Sequence, residues 1–147
     1  MIALLLALQV SELAHHDFAA DPKNQMWDAF SVDVPKTWAL REEGQYKVNI
    51  QFRPAKGSVV SFSVVRIPHK GYPASPEEMK TFKESKKWIT PEGATHVLLV
   101  HASKDRSQMR YEILSRDMFV RAIYIGPVPK PADVDSFQKA AQSVKLK

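Results

Sequence analysis

The side chains able to do chemistry are few and scattered along the chain. There is no cysteine, which excludes thiol nucleophiles, disulfides and cysteine metal sites. His15, His16 and Asp17 stand consecutively and carry donor atoms of the kind a divalent metal takes. Adjacent histidines in a leader segment are more often incidental than ligating, and no metal site is read from them. Three further histidines, His69, His96 and His101, lie in the body of the chain. If His96 and His101 share a strand, their odd spacing puts them on opposite faces, so they cannot hold one ion together without a bulge. Phosphate loops, dinucleotide glycine fingerprints, His-Glu-x-x-His and Gly-x-Ser-x-Gly elbows are all missing. A Ser–His–Asp triad assembles from distant positions and leaves no such signature, which keeps a hydrolase as the third functional reading. No catalytic, cofactor or metal-binding residue is assigned, and the chain reads as a non-enzyme without a cofactor.

The most suggestive surface is basic. On a helix opening near Ser75, Lys80, Lys83 and Lys87 fall within about 60° of one another around the axis. Lys83 and Lys87 are four apart, a like-charge pair that costs a few tenths of a kcal/mol in an isolated helix. Such a row is either a solvated lysine-rich face or a docking face for an acidic partner. Trp88 falls nearly opposite the apolar stripe of the same helix, where it covers the following loop or stands exposed as a binding anchor. Lys80, Lys83, Lys87 and Trp88 are therefore the candidate partner surface. Arg110, Glu112, Arg116 and Arg121 are explained by cross-strand pairing, for instance of Arg110 or Arg121 with Glu112. Nucleic-acid binding needs aromatics interleaved with basic residues on one open face, and Tyr111, Phe119 and Tyr124 read as core instead.

At 147 residues the chain is one domain, long enough to bury a core without disulfide or metal staples. Its net charge of +5 favours an acidic partner and is equally compatible with simple solubility. The longest apolar run, Met1-Ile-Ala-Leu-Leu-Leu-Ala-Leu8, cannot span a bilayer but has the length of a signal-peptide apolar region. It lacks a basic start. A cut after Ala20 would put Phe18, and one after Ala14 would put Glu12, where a small residue is preferred. Two readings stand: the remnant of an export signal, which is favoured, or a short amphipathic helix ending near His15. Residues 15–29, interrupted by Pro22, read as a linker or lead-in. Residues 1–22 are thus an export leader or N-terminal helix plus linker, and residues 26–147 a single domain. The expected location is periplasmic, with the cytoplasm as alternative.

The elements that must position these residues are legible from periodicity. In Tyr46-Lys-Val-Asn-Ile-Gln-Phe-Arg53 apolar and polar residues alternate without a miss, the pattern of a half-buried strand. Pro54-Ala-Lys-Gly-Ser58 turns the chain into Val59–Val65, rich in β-branched residues, to make a hairpin. Phe30–Val34 is a short strand stopped by Pro35, with Trp38 over the end of the sheet. Ser75-Pro76-Glu77-Glu78 is a capping box opening a helix with Met79, Phe82 and Ile89 on one stripe, closed by Thr90-Pro91-Glu92-Gly93. Lys86 falls inside that stripe. Three strands follow, near His96–Ala102, Gln108–Ser115 and Met118–Gly126. A last helix from about Asp133 to Val144 carries Val134, Phe137, Ala141 and Val144 on one face. The expected fold class is α+β: an antiparallel β-sheet of about six strands flanked by two main amphipathic helices.

This succession resembles the PsbP-like superfamily. That group holds the extrinsic protein of the photosynthetic oxygen-evolving complex, a nuclear Ran-GTPase adaptor and bacterial envelope proteins of the DcrB and LpqN type. The resembling residues are Phe30-x-Val-x-Val-Pro35-x-x-Trp38, the Val59–Val65 strand, Ser75-Pro-Glu-Glu-Met79 and Phe137-x-x-Ala-x-x-Ser143. The resemblance implies an αβα sandwich in a family whose members mostly bind proteins and lack a catalytic centre; it transfers no site residue. The leading functional expectation is a small exported, non-catalytic binding or accessory protein acting through protein–protein contact. The alternative is an intracellular adaptor for an acidic protein such as a GTPase.

Overall fold

The computed structural model describes residues 12–21, 27–41, 50–66, 76–82, 84–102 and 105–147. Ten strands and two helices occur among them. In chain order they are β1 (Leu13–Phe18), β2 (Phe30–Pro35), β3 (Ala39–Leu40), β4 (Ile50–Arg53), β5 (Val59–Arg66), α1 (Pro76–Lys80), β6 (Glu84–Ile89), β7 (Thr95–Ala102), β8 (Ser107–Leu114), β9 (Met118–Gly126), α2 (Pro131–Gln142) and β10 (Lys145–Leu146). A seven-stranded sheet runs β3-β4-β5-β9-β8-β7-β6, and a three-stranded sheet runs β1-β2-β10. Every neighbouring pair is antiparallel.

The α+β class and the antiparallel pairing expected from sequence hold, but one sheet of about six strands between two helices does not. Two sheets face each other, and α2 is the one long helix among the described residues. The core lies between them. Phe52, Val60, Phe62, Val64, Met109, Tyr111, Val120 and Ala122 line one face of the large sheet, and Phe30, Val32 and Val34 of β2 cover it together with Phe137, Ala140 and Ala141 of α2. Each large apolar side chain buried there stabilises by roughly 1.5–3 kcal/mol, which is what holds the layers together. Pro131 supplies a preset first turn for α2, and the Asp133 carboxylate accepts the Lys130 N–H at 3.3 Å. The far end is stitched to β2 by Ser143, whose Oγ accepts the Asp33 N–H at 2.8 Å. Trp38 is buried over the end of the sheet as expected, its ring 6.5 Å from that of Phe52.

Two stretches depart from the sequence reading. Residues 13–18, read as part of a leader and lead-in, form a strand paired along its whole length with β2, from Leu13 opposite Pro35 to Phe18 opposite Phe30. His16 and Phe18 face inward and meet the Phe52 ring at 5.0 and 6.2 Å, so β1 belongs to the core packing. The alternation was hidden because an imidazole takes an apolar position. Of the strand expected over Tyr46–Arg53, Ile50–Arg53 is β4 and the rest lies outside the described residues.

The largest departure is the middle helix. Only Pro76–Lys80 is helical, and Glu84–Ile89 is a strand paired with β7. Thr90–Gly93, read as a helix stop, is the hairpin turn: the Gly93 N–H donates to the Thr90 carbonyl at 2.9 Å, and Gly93 takes the positive φ of 86° that glycine tolerates. Lys86 in the apolar stripe was the discordant residue. The pairing of six residues with β7 outweighs the helix propensity of a lysine-rich segment. Met79 and Phe82 do reach a sheet, packing on Val97 and Leu99 of the face opposite the core, whereas Ile89 is 68% exposed.

Candidate functional site

The expected lysine face does not form, because its helix ends at Lys80. Lys80 is exposed at the last position of α1, Lys87 is exposed on β6, and Lys83 lies outside the described residues. Trp88 also sits on β6, and it is no exposed anchor. Its indole is half-buried, stacked on His96 at 5.2 Å and 25° and 5.9 Å from the Tyr111 ring. What the fold creates instead is a basic sheet edge. β6 is the last strand in the order of the large sheet, and Ser85, Lys86, Lys87 and Ile89 are exposed along it. Lys86 and Lys87, being consecutive, point to opposite faces of the sheet. The Lys86 ammonium lies 5.2 Å from the centre of the Trp88 ring, a cation–π contact. Neither lysine is paired with a carboxylate among the described residues.

Behind this edge lies a polar relay that sequence reasoning missed. The Gln142 side-chain N–H donates to the Tyr111 hydroxyl at 3.0 Å, and the same hydroxyl is hydrogen-bonded to Nδ1 of His96 at 2.5 Å. His96 and Tyr111 are both buried. The arrangement links β7, β8 and the end of α2. Burial pushes the His96 pKa below 6.5, with Glu92 opposing weakly, and burial likewise raises that of Tyr111. Stability contributed by neutral His96 is therefore fully present above pH 6.5 and falls as pH drops toward the lower folded-state value. A proton titration of the His96 ring followed by NMR will have its midpoint below 6.5, and His96→Gln will remove that part of the pH dependence. A midpoint at or above 6.5 would disprove the burial argument. His15 is a control of opposite sign, its pKa raised first by the hydrogen bond to Asp33.

The other sequence candidates resolve into structural roles. Glu112 is buried between Arg121, whose Nε and Nη2 lie 2.9 Å from Oε2, and Arg110, whose Nε lies 3.4 Å from Oε1. The Arg121 contact is the cross-strand pairing expected for the row, whereas Arg110 lies two residues from Glu112 on β8 itself. His96 and His101 occupy opposite faces, the first buried and the second exposed. His69 lies outside the described residues. His16 turns inward while His15 and Asp17 turn outward, so the three cannot share an ion; His15 bonds to Asp33 at 2.7 Å and Asp17 pairs with Lys147. No cluster of three or more His, Cys, Asp or Glu suited to a metal occurs among the described residues. A cleft of roughly 150 Å³ between Trp38, Ser58, Tyr124 and Asp133 falls well short of the several hundred Å³ usual for a small-molecule site.

No family model and no curated protein sequence matches the chain. The solution structure of cyanobacterial PsbP (CyanoP) from Synechocystis sp. PCC 6803 is similar to it with a TM-score of 0.51, covering 95% of each chain at 13% sequence identity. The fold is PsbP-like. At that identity the likeness is one of fold, and no residue role crosses with it. The likeness extends over 95% of the chain, whereas the sequence resemblance covered about residues 30–147. Among the described residues no helix is long and apolar enough to cross a membrane.

Proposed function

We propose that the chain is an exported, non-catalytic accessory module that works through protein–protein contact. The observation that supports this most is the exposed edge β6, where Lys86 and Lys87 stand without acidic partners among the described residues. A +5 chain with such an edge favours an acidic protein, and the PsbP-like fold is consistent with an accessory role. The apolar start Met1–Leu8 supports export. Because β1 begins at Leu13, a mature chain that keeps the whole of this strand begins at or before Leu13.

A photo-crosslinking residue placed at Ile89 in the source cell tests the reading. A discrete adduct with one protein in the envelope fraction, severalfold weaker in the double variant Lys86→Glu/Lys87→Glu, is the expected result. The melting temperature of that variant will stay within about 3 °C, since exposed charges contribute little to stability. The absence of adducts from Ile89, Lys80 and Arg116 alike would overturn the binding reading. A native chain confined to the cytoplasm would overturn export alone, and labelling by a serine-reactive probe would overturn the non-catalytic part.

A further inference from the structure

β6 has a backbone geometry as well as a charge. The Thr90 N–H donates to the Ala94 carbonyl at 2.9 Å, which makes Thr90 and Ala94 a hydrogen-bonded pair at the foot of the β6–β7 ladder. Bonded and non-bonded pairs alternate along an antiparallel ladder. With Ile89 opposite Thr95 and Glu84 opposite Val100, the residues Glu84, Lys86 and Trp88 spend their backbone groups on β7. Ser85, Lys87 and Ile89 turn theirs outward from the sheet. Three N–H and three C=O groups thus stand in register along an edge that no other described strand covers.

From this geometry we infer that β6 receives an extended acidic segment of a partner protein, which adds to the large sheet as an eighth strand. The inference rests on the protein-binding reading and specifies its mode. Main-chain bonds to Ser85, Lys87 and Ile89 supply the docking, as in other strand-addition complexes, and the side chains select the occupant. Lys86 on one face and Lys87 on the other each favour a carboxylate on the incoming strand, so adjacent acidic residues serve both. Ile89, 68% exposed, offers an apolar contact one end further on.

A second copy of this chain is a poor occupant. The antiparallel register that satisfies all three outward residues sets Ser85 opposite Ile89 and Lys87 opposite its own copy, a like-charge cross-strand pair. Lysines on a free edge commonly suppress such self-pairing. The same repulsion turns away neutral and basic strands less strongly or more strongly according to their charge, so one pair of lysines both blocks aggregation and selects an acidic segment.

The test uses the full chain and a short peptide in which pairs of adjacent glutamates alternate with pairs of valines, so that carboxylates stand on both faces, beside its lysine-for-glutamate analogue. On adding the acidic peptide, amide exchange will slow at Ser85, Lys87 and Ile89 and stay unchanged at Lys86 and Trp88, which are already bonded. The lysine analogue will bind at least about tenfold more weakly, as will the acidic peptide to Lys86→Glu/Lys87→Glu. Lys87→Pro removes an outward N–H without touching the β7 ladder, so it will abolish binding while an unchanged far-ultraviolet spectrum certifies the fold. Should Lys87→Pro unfold the chain, methylation of the Lys87 backbone nitrogen by semisynthesis removes the same donor. Binding that survives loss of this donor, binding that protects amides elsewhere, or no binding at millimolar peptide would each overturn strand addition. The crosslink at Ile89 decides separately whether the chain is a binding module at all.

Discussion

A chain that begins at Asp21 will melt roughly 10 °C or more below one that begins at Glu12. The shortened chain loses all six residues of β1 from the small sheet. It also uncovers two aromatic surfaces. Phe18 lies 5.2 Å from Phe30 and 6.2 Å from Phe52, and His16 closes on Phe52 at 5.0 Å. Phe30 and Phe52 have no solvent exposure in the intact fold. Removing one such aromatic contact set costs on the order of 3–4 kcal/mol, the range seen for large-to-small core changes. For a chain of this size that corresponds to roughly 10 °C, read by circular dichroism on both chains under one scan rate. Phe18→Ala alone will recover about half of the effect. Equal melting temperatures would show that β1 is an ornament on the fold, and would reopen Ala14 and Ala20 as export cleavage points.

The second large effect is at Glu112. Its carboxylate is 1% exposed and is held by Arg121 and Arg110, themselves 35% and 13% exposed. Glu112→Ala removes the carboxylate that Arg121, across the strand pair, and Arg110 share. Breaking a buried pair costs about 3–5 kcal/mol; Arg121 is partly wetted, which lowers the expected loss to about 2–4 kcal/mol. Glu112→Gln, which keeps the shape, will lose less. Denaturant unfolding measures both, and the difference will persist in high salt because a shielded pair is weakly screened. A loss under about 0.5 kcal/mol would mean that the two arginines are fully solvated when their partner is gone. Partner capture at β6 should be unaffected, since Glu112 stands two strands away from that edge.

The strands that bear one clean apolar face were legible residue by residue. Phe30–Pro35, Val59–Arg66 and the meander of β7, β8 and β9 appear within a residue or so of their expected ends. α2 appears two residues earlier at each end than the expected Asp133–Val144, with Phe137 and Ala141 buried, because a single amphipathic stripe determines which side packs. The pairing of Arg121 and Arg110 with Glu112 followed from strand parity alone. The candidate partner surface was half legible. Lys80, Lys87 and Trp88 were singled out for charge and for an aromatic beside it, yet the helix that would have gathered them with Lys83 ends at Lys80. Lys86, set aside as a misfit in an apolar stripe, is the residue that stands with Lys87 on the edge. The His96–Tyr111–Gln142 relay had no local signal, since its members lie 15 and 31 residues apart in sequence.

By itself the sequence determined the α+β class, the antiparallel pairing, the hairpin turn at Pro54–Ser58 and the basic character of the segment after Ser75. These are properties of neighbouring residues: periodicity of two or of 3.6, β-branching, proline and charge. Only the tertiary structure decided that Glu84–Ile89 is a strand, that β1 joins the core, and that ten strands divide into sheets of seven and three. In each case the deciding energy comes from a partner distant in the chain. β7 offers a pairing edge six residues long, with the backbone groups of every second residue turned toward it, to a segment whose own preference is helical, and Phe52 and Phe30 offer an apolar seat to Phe18 and His16. A window of sequence contains the preference but not the partner, and here the partner wins.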